Sequence, residues 1–191
     1  MGEPVMNVFV LCTGRCGSTT FVEACSHLTN YSAGHETRWG RVGNDRFAYP
    51  PNHIEADNRL SWLLGSLEQA YGGGAFYVHL TREPEAVAES FRKRLVARRG
   101  IIQAYKTAML GAKSVPDLDV CRDYVKTVTS NIQHFLRDKP KKMAFALEES
   151  ERDFPAFCSE IGAVGNMAAA MRSWKTHYNE SRTDRLAQFE D

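Results

Sequence analysis

Two short segments of the chain carry side chains whose types and spacing can hold anions. The first is Thr13, Gly14, Arg15, Cys16, Gly17, Ser18, Thr19 and Thr20 in succession. Its two glycines allow a turn tight enough for successive backbone N–H groups to face one phosphate. Arg15 adds a fixed charge, and Ser18 and Thr19 add hydroxyl donors. The second segment holds Arg82 and, eight positions later, Ser90. If a helix begins near Pro84, Ser90 sits about two turns into it and faces back toward whatever Arg82 holds. Such a pair can grip a second phosphate. Each segment also has a plainer reading. The first can be a glycine turn with Arg15 on the surface; in the second, Arg82 can pair with Glu83 or Glu85 while Ser90 packs.

Several chemistries are disfavoured at once. A nucleoside triphosphatase loop needs a lysine before its hydroxyl residue, and here Gly17 leads straight into Ser18. A cysteine phosphatase needs an arginine six positions after its nucleophile, which neither Cys12 nor Cys16 has. The six histidines form no H-x-x-x-H pair, so no catalytic metal is expected. Five cysteines without a C-x-x-C pair speak for reduced thiols in a cytoplasm rather than a disulfide framework. A formal charge of +1 offers no general field for nucleic acid. The apolar run at 8–11 is far short of a membrane span or export leader, so no stable membrane insertion is expected.

The elements that must position these residues alternate. Residues 7–12 are apolar without alternation and end in Thr13-Gly14, as a buried parallel strand does. A helix over 20–28 follows, then a mainly loop stretch over 29–52 with a short strand at 31–33. A helix over 57–71, a strand over 75–81 and a helix from Pro84 to about Arg98 come next. After a weakly patterned segment at 100–119, which can cover a site, Tyr124, Val128, Ile132 and Phe135 mark an amphipathic helix. A strand at 143–147, a helix at 151–161 and a polar tail from about 182 complete the order. At 191 residues and 43% hydrophobic content, one domain over 1–191 is expected. The fold class is α/β, a mostly parallel sheet with helices on both faces and ligands at the carboxyl ends of its strands.

Taken together, the two anion motifs resemble those of the PAPS-dependent sulfotransferases (PAPS is 3′-phosphoadenosine-5′-phosphosulfate), and the form of the first loop is most similar to the small bacterial members. Residues 143–148 and 154–158 also resemble that family's late strand and helix. The resemblance implies a P-loop-type fold with PAPS as co-substrate. It implies that residues 14–20 hold the 5′-phosphosulfate, with Arg15 as electrostatic clamp, and that Arg82 and Ser90 hold the 3′-phosphate. It implies a base after the second strand, Glu36 first and His35 second, lying beside the phosphate loop. Glu36 can equally be an ion-pair partner of Arg15 or Arg38.

The chain departs from animal cytosolic members, which have lysine at the place of Arg15, tryptophan at that of Thr20, and a basic-glycine motif not found over 166–191. Arg172 and Lys175 are candidate substitutes. The implied acceptor is a hydroxyl or amine of a small molecule, glycan or lipid. Trp39, Phe47, Tyr49 and Trp62, and later Tyr105 and Lys106, either line its pocket or pack their loops. His53 is expected in a loop and His79 in a packed core. A P-loop kinase of a small molecule and a non-catalytic PAPS-binding or nucleotide-binding module are the rival readings. Oligomeric state is not readable from the sequence.

Overall fold

Five short strands form the sheet: β1 (Val8–Leu11), β3 (His53–Ala56) and β4 (Phe76–Thr81), buried almost throughout, and β2 (Ser32–His35) and β5 (Lys142–Ala146), each with a single buried residue. In the computed structural model, which describes residues 6–95, 100–112 and 114–175, every neighbouring pair is parallel and the order is β2-β3-β1-β4-β5. Parallel neighbours need crossovers. The one from β2 to β3 is a loop with a 3₁₀ turn at Gly43–Phe47, and the others carry α1 (Ser18–Cys25), α2 (Leu64–Tyr71), α3 (Pro84–Arg94), α4 (Ile101–Ala104) and α5 (Asp117–Leu136); α6 (Ser150–Glu160) and α7 (Met167–Ser173) follow β5.

Side-chain parity divides the helices between the two faces. On one face Phe145 of β5 meets Phe21 of α1, and Phe76 of β4 meets Phe157 of α6. On the other, Phe9 of β1 meets Tyr71 of α2, and Tyr77 of β4 meets Phe135 of α5. α7 packs on α1, and α3 on α5. Phe21 is fully buried among Phe145, Phe154, Phe157 and Trp174. Burial of such a side chain is worth roughly 1.5–3 kcal/mol, so this cluster fixes where the start of α1 points.

The α/β alternation holds, with four differences. β3 occupies a stretch whose first residue, His53, was expected in a loop. Two of its four residues, His53 and Glu55, are polar yet buried, which hides the strand from a reading by hydropathy. The helix expected over 57–71 is a 3₁₀ turn at Asn58–Trp62 followed by α2. Segment 100–119 holds α4, a π-turn at Tyr105–Met109 and the start of α5, which runs twenty residues from Asp117. α7 was not foreseen; an isolated bridge between Leu28 and Gly165 lies just before it. The expected end of the helix at Arg98 and the polar tail from about 182 lie outside the described residues.

Candidate functional site

β1 and β4 are neighbours, but the chain leaves them in different directions. α1 packs toward β2 and β3, whereas α3 packs on α5. A crevice at the carboxyl end of such a pair is where open parallel sheets bind ligands. Both anion motifs lie at its mouth.

The loop between β1 and α1 is held from behind. Tyr124 of α5 donates its hydroxyl to the Thr13 carbonyl at 3.1 Å, and Ser61 donates to the Cys12 carbonyl at 3.0 Å. The Cys16 sulfur lies 3.0 Å from the Thr13 hydroxyl, and burial raises the pKa of its thiol. Cys16 therefore braces the loop as a neutral thiol. Gly17 takes φ +85°, and a Cβ there would sit 2.7 Å from Leu147 Cδ1. Arg15 itself adopts φ +62°, a conformation that costs a non-glycine residue roughly 1–3 kcal/mol and concentrates at functional sites. The first bond within α1 runs from Phe21 N to the Gly17 carbonyl at 2.9 Å. The N–H groups of Ser18, Thr19 and Thr20 precede that first bond, the position from which a helix start offers donors to an anion. The Thr20 side chain is buried.

The second motif arrives at the same place. Pro84 opens α3, and Glu83 caps it by accepting from Ala86 N at 2.7 Å; Glu85 pairs with Arg122. Arg82 reaches back, its NH1 3.4 Å from the Arg15 carbonyl. Ser90 accepts from Arg15 Nε at 3.0 Å. Beside Arg82 lies a cavity of about 330 Å³, lined among others by Thr13, His79, Val87, Thr129 and Glu148. That volume is within the range of small-molecule sites. His79 is buried as expected, and burial lowers its pKa to about 4, yet it also faces this cavity.

β2 does not lie directly beside β1, because β3 intervenes. His35 still reaches the loop, since α1 packs over β2: Ser18 Oγ is 3.0 Å from His35 Nε2. Glu36 has φ +55°, and its carboxylate lies 2.6 Å from Arg59 NH1. Arg59 is thus an ion-pair partner of Glu36, while Arg38 donates to the Ala48 carbonyl. Sequence reasoning missed Arg59, which sits in the turn after the unforeseen β3. Its guanidinium also lies 5.2 Å from the Trp39 ring centroid.

The aromatic candidates divide. Trp39 is 64% exposed beside Glu36 and Arg59. Tyr49 stacks on His53, Phe47 offers its carbonyl to Tyr71, and Trp62 packs against Tyr105 and Tyr124. Tyr105 donates to Asp123, and Lys106 pairs with Asp117, so both hold their own segment to α5. Arg172 and Lys175 are exposed at the end of α7.

No family profile and no curated protein sequence matches the chain. Its fold is that of solved sulfotransferases. It superposes on the sulfotransferase domain from the curacin biosynthetic pathway with a TM-score of 0.65 at 12% identity, over 93% of this chain and 80% of that one. It superposes on a sulfotransferase from Alicyclobacillus acidocaldarius with a TM-score of 0.60 at 14% identity, over 99% and 92%. At such identities the likeness establishes the fold alone. Among the described residues, no group of three histidine, cysteine or carboxylate side chains is placed to hold a metal, and no helix is long and apolar enough to cross a membrane.

Proposed function

We propose that the chain is a sulfotransferase, moving a sulfuryl group from PAPS to a hydroxyl or amine and releasing adenosine 3′,5′-bisphosphate. The observation that carries this reading is the convergence of the two anion motifs, with Arg82 and Ser90 both in contact with Arg15 at the β1/β4 crevice. A single phosphate needs one such grip; a donor with phosphates at both ends of its ribose needs two.

In this reading the N–H groups at the start of α1, with Arg15, hold the 5′-phosphosulfate and stabilise the charge that develops on the leaving phosphate oxygen. Arg82 and Ser90 hold the 3′-phosphate, and the cavity next to Arg82 takes the adjoining part of the nucleotide. The acceptor oxygen forms the new bond to sulfur as the bond from sulfur to the phosphate oxygen breaks. Glu36 takes the acceptor proton. His35, bonded to Ser18, ties the base segment to the phosphate loop and is the second candidate for that proton. The acceptor, a hydroxyl of a small molecule, glycan or lipid, enters from the side of Trp39 and Arg59. Residues 1–191 are read as one sulfotransferase-like unit. Five buried, free cysteines suit a reducing cytoplasm.

Calorimetric titration with adenosine 3′,5′-bisphosphate without magnesium, against ATP with magnesium, tests this reading on wild type and Arg82→Ala. Selective binding of the bisphosphate that weakens at least tenfold in the variant is expected, because a charge-assisted contact is worth about 1.5–3 kcal/mol. Preference for ATP would favour a kinase instead. Bisphosphate binding without transfer to any acceptor would leave a nucleotide-binding module.

A further inference from the structure

Directly behind the loop that carries Glu36 lies a carboxylate that the transfer chemistry does not use. Glu55 of β3 is wholly buried. A buried carboxylate persists only when its lone pairs are met by donors, and here three donors meet it. Thr37 N donates to Oε1 at 2.7 Å, Thr37 Oγ1 donates to Oε2 at 2.7 Å, and His53 Nε2 lies 2.9 Å from Oε2. His53 is fixed in turn. Its Nδ1 is 2.8 Å from Ser32 Oγ on β2, and its ring stacks on Tyr49 with centroids 5.5 Å apart.

The sequence makes room for this arrangement. A Cβ on Gly34 would stand 2.3 Å from Thr37 Cγ2 and 3.2 Å from Glu55 Oε2. β2 therefore carries its glycine at the point where the Thr37 side chain folds back over the strand.

Two of the groups Glu55 holds belong to the residue that follows Glu36. On its other side, the N–H of Glu36 donates to the Ala56 carbonyl at 3.1 Å. Glu36 is thus clamped between two anchors on β3, and it is held in the left-handed region at φ +55°, which a glutamate does not choose unaided. That backbone setting aims its carboxylate at Arg59 and keeps His35 against Ser18. We infer that Glu55, acting through Thr37, is a positioning residue for Glu36: it holds the base in the one backbone conformation that presents its carboxylate to the acceptor. The inference rests on the sulfuryl-transfer reading and adds to it a part of the machinery that touches neither donor nor acceptor.

The test uses Thr37→Val, which keeps shape and backbone N–H but loses the hydroxyl donor, Thr37→Ser, which restores it, and Glu55→Gln, in which one acceptor oxygen becomes an NH2. Two quantities are measured for each protein. One is the affinity for adenosine 3′,5′-bisphosphate. The other is slow cleavage of PAPS with water as acceptor: the water oxygen bonds to sulfur, the sulfur–phosphate oxygen bond breaks with its electron pair staying on the bisphosphate, and the water proton goes to Glu36. Cleavage should fall about tenfold in Thr37→Val and at least as far in Glu55→Gln, with bisphosphate affinity within twofold of wild type and Thr37→Ser close to wild type in both. Unchanged cleavage in Thr37→Val overturns the inference, as does a parallel loss of cleavage and bisphosphate affinity in that variant. A wild type that neither binds the bisphosphate nor cleaves PAPS sinks the sulfuryl-transfer reading, and the inference falls with it.

Discussion

Arg15 donates from Nε to the hydroxyl of Ser90 at 3.0 Å, joining the loop after the first strand to a helix 75 residues further along the chain. The bond ties the proposed sulfate end of the site to the proposed 3′-phosphate end. The donor is a charged guanidinium, so the bond is charge-assisted and worth about 1.5–3 kcal/mol. Ser90→Ala is therefore expected to weaken adenosine 3′,5′-bisphosphate binding roughly tenfold or more. Arg15→Lys keeps the charge but loses the planar fork, and should weaken binding more than Ser90→Ala does. Titration of both variants checks the order, and a stronger effect at Ser90 would show that Arg15 does not face the ligand.

Gly17 tests the loop itself. Its φ of +85° strains any side chain, and a Cβ placed there would stand 2.7 Å from Leu147 Cδ1, which would have to shift. Gly17→Ala should cost roughly 1–3 kcal/mol from backbone strain, visible as a lower urea midpoint. It should also weaken bisphosphate binding, because the N–H groups it displaces are those that start α1. Lower stability with unaltered binding would place the ligand elsewhere.

Glu36 and Arg59 make a contrasting pair. Removal of a general base costs typically 10²–10⁴-fold in rate, so Glu36→Gln should lose transfer to that degree while bisphosphate affinity stays within twofold. Arg59→Ala removes the cation 2.6 Å from the carboxylate and should also spare bisphosphate affinity, with a smaller loss of rate. Single-turnover cleavage of PAPS, alongside titration, measures both. A Glu36→Gln enzyme as fast as wild type would transfer the role of base to His35.

What the sequence showed of this site follows from how local each part is. The loop at 14–20 and the spacing of Arg82 to Ser90 are contained in single strand-to-helix units, so residue type and short spacing suffice to read them. Arg59 was hidden because its tie to Glu36 depends on β3, and β3 was hidden because Glu55 and His53 are polar residues in a strand whose residues are all buried. His53 and Glu55, a buried polar pair, satisfy one another along β3, and no hydropathy pattern reports that. The order of strands was equally out of reach. β2 stands one place out from β1, beyond β3, and only the packing of α1 over β2 brings His35 to Ser18.

His79 gives a dependence on pH. Burial lowers its pKa from 6.5 to about 4, so the unfolded chain takes up a proton near pH 6.5 that the folded chain refuses until about pH 4. Between those values the unfolded state binds more protons, and stability must fall as the pH falls. It is fully present above pH 6.5. The slope approaches 1.4 kcal/mol per pH unit, so about 2 kcal/mol is lost between pH 7 and pH 5 through this residue. Arg82 and the carboxylates of Glu83 and Glu148 line the same cavity, but desolvation is the cause of the shift. Urea unfolding at pH 7 and pH 5 compares wild type with His79→Gln, which cannot take up the proton. Wild type should lose about 2 kcal/mol more than the variant over this interval. Equal losses would mean that His79 is solvated in the cavity and titrates near its ordinary value.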